Sequence, residues 1–226
     1  MDTGFFKWVW RFNALAIAAA VTVLLAIAAL EFTRDLRRGV RATATVNVDP
    51  ADESVEETLE IGDLTYVEKT GLVHFSLLRR QSYDVSGYAS GGKSTYNNVI
   101  NKGFLDPDNG AVRWLLESSD GLIVWERRIT RGRDESEHLA NAYLLVTEDS
   151  SGDRRLSASD NGALMISDPD GTRLVSLLDG VEGVNSSLAF DRETQIFDLQ
   201  LNGRRQLVFV ALPSRQIVKT YDLPEL

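Results

Sequence analysis

The stretch IFDLQLNGRRQLVFVAL, residues 196–212, decides how this chain folds. Two apolar, strand-favouring runs, IFDLQL and QLVFVAL, flank an Asn-Gly pair, and Asn and Gly tolerate the positive φ that a tight hairpin turn requires. The same grammar recurs upstream and downstream. LVHFSLL at 72–78, RWLLES at 113–118, LIVWERRI at 122–129, AYLLVTE at 142–148, ALMIS at 163–167, RLVSLL at 173–178, SLAF at 187–190 and QIVKTYDL at 216–223 all read as strands. DPDNG, SSDG, EDSSGD, SDNG, DPDG and LDG punctuate them. No helical pattern alternates with these runs, which argues against a parallel α/β sheet and predicts a mainly β, antiparallel domain.

Two segments echo each other: DPDNGAVRWLLESSDG from Asp106 and DPDGTRLVSLLDG from Asp168. With the strand–turn rhythm around them, they resemble the repeats of TolB-type or WD-type β-propellers. The resemblance implies a propeller-like closure, with a β-sandwich as the alternative. Within the β region, 49–60 carries six acids and no base, and reads as a solvated loop or short helix.

The N-terminus is of another kind. ALAIAAAVTVLLAIAAL, residues 14–30, has Thr22 as its one polar residue, and the edge residues extend it to 12–32, enough to cross a bilayer. FFKWVWRF precedes it with aromatics interleaved by Lys7 and Arg11, a composition suited to the headgroup level. The expected organisation is therefore a membrane anchor at 1–39 and a β-rich soluble domain at 40–226. Ala26 and Ala28 leave open the alternative of a cleaved signal peptide. Arg34, Arg37, Arg38 and Arg41 follow the span and argue for a cytoplasmic domain. Short-tailed, N-terminally anchored bacterial proteins usually export theirs, so a single pass of the inner or plasma membrane with an extracytoplasmic (periplasmic) domain is the expectation. Ala14, Ala18, Thr22 and Ala26 fall on one helix face, and such small side chains let a second transmembrane helix, or a second copy, approach closely.

Charge and composition exclude several functions. The net charge of -9 over 226 residues arises wholly after residue 31, which makes nucleic acid a poor partner. The chain has no cysteine, so disulfides, thiolate nucleophiles and cysteine-ligated zinc are ruled out. His74 and His138 are the only imidazoles. His74 lies in an alternating run and reads as half-buried wall, His138 as a solvated loop residue.

GYASGGKS, residues 87–94, fits the phosphate-loop pattern letter for letter. Such a loop must leave a buried strand and enter a helix whose amides face the phosphates. Here polar RRQSYDVS precedes it, and the residues that follow suit a strand, so the match reads as fortuitous and the chain as non-enzymatic. A better candidate for ligand chemistry is the loop at 149–160. Counted as a calcium loop, its ligand positions fall on Asp149, Ser151, Asp153, the Arg155 carbonyl, Ser157 and Asp160, each with an oxygen to offer. Arg154 stands where the sharp turn of such loops takes glycine, and the bland alternative is a polar connection between two strands.

The chain also resembles a group of bacterial single-pass membrane proteins of similar length. The residues that carry this are Trp10 and Arg11, the Ser/Gly loop at 90–94, the loop at 149–157, the SDPDG turn at 167–171 and the DLPEL ending at 222–226. The group implies an architecture and no activity. The function expected is a membrane-anchored, non-enzymatic interaction module, an accessory subunit or scaffold of a membrane complex. The alternative is a calcium- or ligand-sensing extracytoplasmic domain.

Overall fold

The computed structural model describes residues 45–47, 55–83, 94–131 and 137–224. The expected anchor, with Ala14, Ala18, Thr22 and Ala26, lies outside them, as does all of the phosphate-loop match except Ser94. Among the described residues there is no helix, and every strand ladder is antiparallel.

The opening stretch forms the predicted hairpin. Strands β12 (Thr194–Leu201) and β13 (Arg204–Ala211) pair from Thr194↔Ala211 to Leu201↔Arg204, leaving Asn202 and Gly203 as a two-residue turn. Both turn residues have positive φ, 50° and 70°, as a hairpin turn matched to strand twist needs. This hairpin belongs to a seven-stranded meander in which β7 (Leu122–Arg131), β8 (Glu137–Val146), β10 (Gly162–Ser167), β11 (Val175–Ala189), β12, β13 and β14 (Gln216–Asp222) are neighbours in chain order. Between β8 and β10 the chain leaves the sheet to form β9 (Arg155–Ser157), which pairs with β1 (Thr45–Asn47).

The meander curls around its own core. Phe197, Leu199, Val208 and Val210 are fully buried and pack in one cluster with Leu144, Leu164 and Ile166. Trp125 of β7 meets Phe197 of β12 edge to face at 6.4 Å. Arg131, at the end of β7, donates to the carbonyls of Asp191 and Thr194 and to Gln195 Oε1. The strand at one end of the meander is thus held against the hairpin near the other. β11 departs from the expectation of two short strands divided by LDG. It runs unbroken for 15 residues, with register shifts after Val181 and Val184 and Gly180 at φ 72°. Bulges absorb the turn chemistry and bend the strand instead of ending it.

The second sheet comprises β2 (Val55–Ile61), β3 (Thr65–Val67), β4 (Leu72–Tyr83), β5 (Ser94–Leu105) and β6 (Val112–Trp114). Two expectations are corrected here. The second half of the acidic run, 55–60, is strand, because β2 lies antiparallel to β4 and finds cations there: Arg79 binds Glu57 at 3.0 Å and Arg80 binds Glu60 at 2.8 Å. Of the polar residues before the phosphate-loop match, 79–83 are strand as well, forming the end of β4. After the match the chain enters β5, a strand, so no helix N-terminus opens there.

The echoing segments do share a device. Asp106 and Asp168 each open a turn closed by a glycine of positive φ, Gly110 at 73° and Gly171 at 79°. Their sequels differ: the first leads into the three residues of β6, the second into the fifteen of β11.

Candidate functional site

Along β4 and β5 the register sets His74 opposite Phe104 and Ser76 opposite Lys102. Alternation places all four on one face of the five-stranded sheet. That face meets β7 and β8 of the meander. Lys102 Nζ donates to Ser76 Oγ at 2.8 Å and pairs with Glu126 of β7 at 2.5 Å. Next along β5 is the junction's apolar post, Phe104, which is 3% exposed. His74 meets it edge to face at 4.7 Å, the Arg113 guanidinium lies 5.3 Å from its centroid, and Gly171 of the DPDG turn abuts its ring. Arg113 also donates to the Asp170 carbonyl, tying that turn to β6.

Two cavities flank Phe104. The first, about 550 Å³, is walled by His74, Ser76 and Lys102 on one side and by Arg127, Arg128 and Asn141 on the other. The second, about 790 Å³, is bordered by Lys69, Arg113, His138, Asp168 and Asp170. The two histidines, 64 positions apart in sequence, thus border adjoining cavities.

His138 is the main correction at residue level. It sits on β8 and is 7% exposed, not in a solvated loop. The alternation that makes Glu137–Val146 a strand begins inside the polar run and turns His138 inward. Its Nε2 lies 2.8 Å from Asn141 Oδ1 and 3.1 Å from the Ala140 carbonyl. Both partners are acceptors, because the Asn141 amide nitrogen donates to the carbonyls of Asp168 and Pro169. Nε2 therefore carries the hydrogen, and in the neutral ring Nδ1 is left as a bare lone pair. That Nδ1 is buried without a partner, and so is Nε2 of His74.

Burial holds both rings neutral. For His74 burial is the largest influence, aided by His138, Arg128 and Lys102 and opposed by Asp170; its pKa is lowered from 6.5 to about 4. His138 is lowered as well, by burial first, with the Asn141 hydrogen bond working against it. Burial raises the Tyr143 hydroxyl at the same junction. Arg128, on the same face of β7 as Glu126, is exposed at the first cavity, whereas alternation turns Arg127 to the face of Ala142.

The loop at 149–160 is built differently from a ready ligand set. Asp149 turns both carboxylate oxygens on its own loop, accepting from the amides of Gly152, Asp153 and Arg154 and from Ser151 Oγ. Asp153 caps the amide of Arg155, which lies on β9. Asp160, fully buried, accepts from the amides of Ser151 and Ser157 and from the hydroxyls of Ser150 and Ser157. Arg154 takes φ 61°, the left-handed conformation usually given to glycine at that position. Among the described residues, no group of three or more histidine, aspartate or glutamate side chains is placed to hold a metal ion.

No family model matches the chain, and no curated protein matches its sequence. Among solved structures it is similar to the β-propeller domain of the Trilobed protease from Pyrococcus furiosus, with 12% identity and a TM-score of 0.39 over 74% of this chain and 44% of that one. The chain spans less than half the length of that neighbour, and its assignment as a mainly antiparallel β protein rests on its own ladders.

Proposed function

We propose that this chain is a membrane-anchored, non-enzymatic binding module whose ligand seat is the cleft between the five-stranded sheet and β7–β8. One observation carries the reading: two buried imidazole nitrogens, His74 Nε2 and His138 Nδ1, have no partner and border adjoining cavities of about 550 and 790 Å³. A buried polar atom without a partner costs roughly 1–3 kcal/mol, and native proteins keep few of them. A bound molecule that completes these hydrogen bonds gives the arrangement a purpose. Support for a binding rather than a catalytic role comes from the same atoms. Neither imidazole is hydrogen-bonded to a hydroxyl among the described residues, so no nucleophile–base pair is assembled. The anchor at 1–39, with the strip Ala14, Ala18, Thr22 and Ala26, suits an accessory or sensing component of a membrane complex.

The test is thermal unfolding of the full chain in neutral detergent against a panel of small organic anions, amines and uncharged polyols. A ligand at about a hundred times its dissociation constant adds about 2.7 kcal/mol, some 5–10 °C in a domain of this size. One class should give such a shift in the natural chain and not in a Ser76→Trp variant, whose indole fills the first cavity. If no class shifts the transition, or if the shift survives in the filled variant, the reading fails. For the anchor, alkaline carbonate washing should leave the chain in membranes; release of a chain beginning near residue 29 overturns that part.

A further inference from the structure

We infer that a second copy of this chain docks on the face of the five-stranded sheet turned away from the cleft. The inference is independent of the cleft and its ligand.

Register fixes which residues share that face. His74, Phe104 and Arg113 lie opposite one another across β4, β5 and β6 and stand on the cleft side. The rows on either side of them therefore point the other way. One runs Tyr66, Val73, Leu105, Val112, and the next holds Phe75, Gly103 and Trp114. On β2, Leu59 and Ile61 lie opposite Arg79 and Leu77, which alternate with Phe75 onto the same side. Leu64 stands in the jog between β2 and β3. An antiparallel sheet with one wet face normally turns polar residues to the water. Here Leu59, Ile61, Leu64, Tyr66, Val112 and Trp114 are each between 41% and 66% exposed. The aromatic centre of the face is packed firmly: the buried Phe75 ring lies over Gly103 and meets Trp114 edge to face at 5.4 Å. β1 closes one end, where Asn47 and Gln81 exchange two hydrogen bonds.

The area suits a second copy. For residues of this size the exposed parts of those six come to roughly 600 Å², the upper end of what a monomer leaves bare in one patch. A standard interface takes about 800 Å² from each partner, a figure within reach once the half-buried Val73, Leu77 and Leu105 are included. Trp and Tyr are also the side chains enriched at the centres of protein interfaces. Glu57 and Arg79, the ionised side chains of these rows, are paired with each other at 3.0 Å, so a two-fold axis that sets the face against its own copy brings no unpaired charge from them to the contact. A bilayer is the poorer match, because a net charge of -9 is repelled by an anionic lipid surface.

The experiment uses the full chain in neutral detergent. Light scattering should give the mass of a dimer at micromolar concentrations. Because the natural chain has no cysteine, one introduced thiol reports on one position. Val112→Cys should be crosslinked between copies by a short bis-maleimide, whereas Val218→Cys, exposed on β14, should not. Ile61→Ser/Tyr66→Ser replaces two side chains that are more than half exposed, so circular dichroism should show the fold intact, while the dissociation constant of the dimer should rise at least about tenfold. A monomer, a dimer indifferent to this double substitution, or crosslinking equal at 112 and 218 overturns the inference. A dimer that is indifferent leaves the strip Ala14, Ala18, Thr22 and Ala26 as the contact between copies. In proteoliposomes, a bimane label on Val112→Cys that is quenched by brominated lipid, with no crosslink formed, overturns it too and assigns the face to the bilayer.

Discussion

Gly171 reports directly on how the DPDG turn is seated against the five-stranded sheet. Its φ is 79°, and a methyl on its Cα would lie 2.3 Å from the Cε2 and Cζ atoms of Phe104. Gly203, in the β12–β13 turn, has nearly the same backbone, φ 70°, with nothing within 4 Å of that methyl. Alanine at either site incurs the left-handed backbone penalty, about 1 kcal/mol. At 171 it must also displace a ring that is 3% exposed and hemmed in by His74 and Arg113. Overpacking of that kind adds about 1–3 kcal/mol. Gly171→Ala should therefore lower the unfolding free energy by about 2–4 kcal/mol and Gly203→Ala by about 1 kcal/mol. Urea denaturation of the full chain in detergent, followed by circular dichroism, separates the two. Adding Phe104→Leu to Gly171→Ala should recover about 1 kcal/mol by making room. Equal losses at 171 and 203, or no recovery with the smaller side chain, would refute the docking of this turn on Phe104.

Stability should fall as the solution is acidified from pH 7 to 5. His74 has a folded pKa of about 4 against 6.5 unfolded, so the unfolded chain binds more protons in that window and the contribution, intact above pH 6.5, is lost on descent. The ceiling at pH 5 is about 2 kcal/mol; the cleft admits water, so about 1 kcal/mol is expected, and the fall should be smaller in His74→Gln, where only His138 remains to contribute. Asp160→Ala leaves four donors without their acceptor in a buried site and should cost about 2–4 kcal/mol. Urea midpoints should show the same loss with and without millimolar calcium, because the oxygens of Asp160 serve the loop's own amides and hydroxyls. Arg131→Ala breaks the three bonds from β7 to the start of β12 and its turn, and should cost about 1–2 kcal/mol in the same assay.

Much of the β architecture was legible because turn chemistry is local. Asn202-Gly203, the DPDNG turn and the DPDG turn fall where the sequence puts them, since positive φ is a property of the residues themselves. β2 was not legible. Glu57 and Glu60 read as solvated until β4 supplies Arg79 and Arg80 across the ladder, and that pairing exists only in three dimensions. The site was hidden for the same reason. His74 and His138 lie in separate strands of separate sheets, and neither has a metal ligand or nucleophile at helical spacing to draw notice. The one local signal was alternation through EHLANAYLLV, which turns His138 inward; the charged residues before it masked the pattern. At the loop 149–160 the spacing of oxygens is real, but oxygens also cap amides, and spacing alone does not distinguish the two uses.

The most direct measurement is proton NMR titration of the imidazole rings, which is tractable because the chain has two histidines. His74 should titrate near 4 and His138 below 6.5. Two rings that titrate together at 6.5 would mean that the histidines are not held buried and without partners at the cleft.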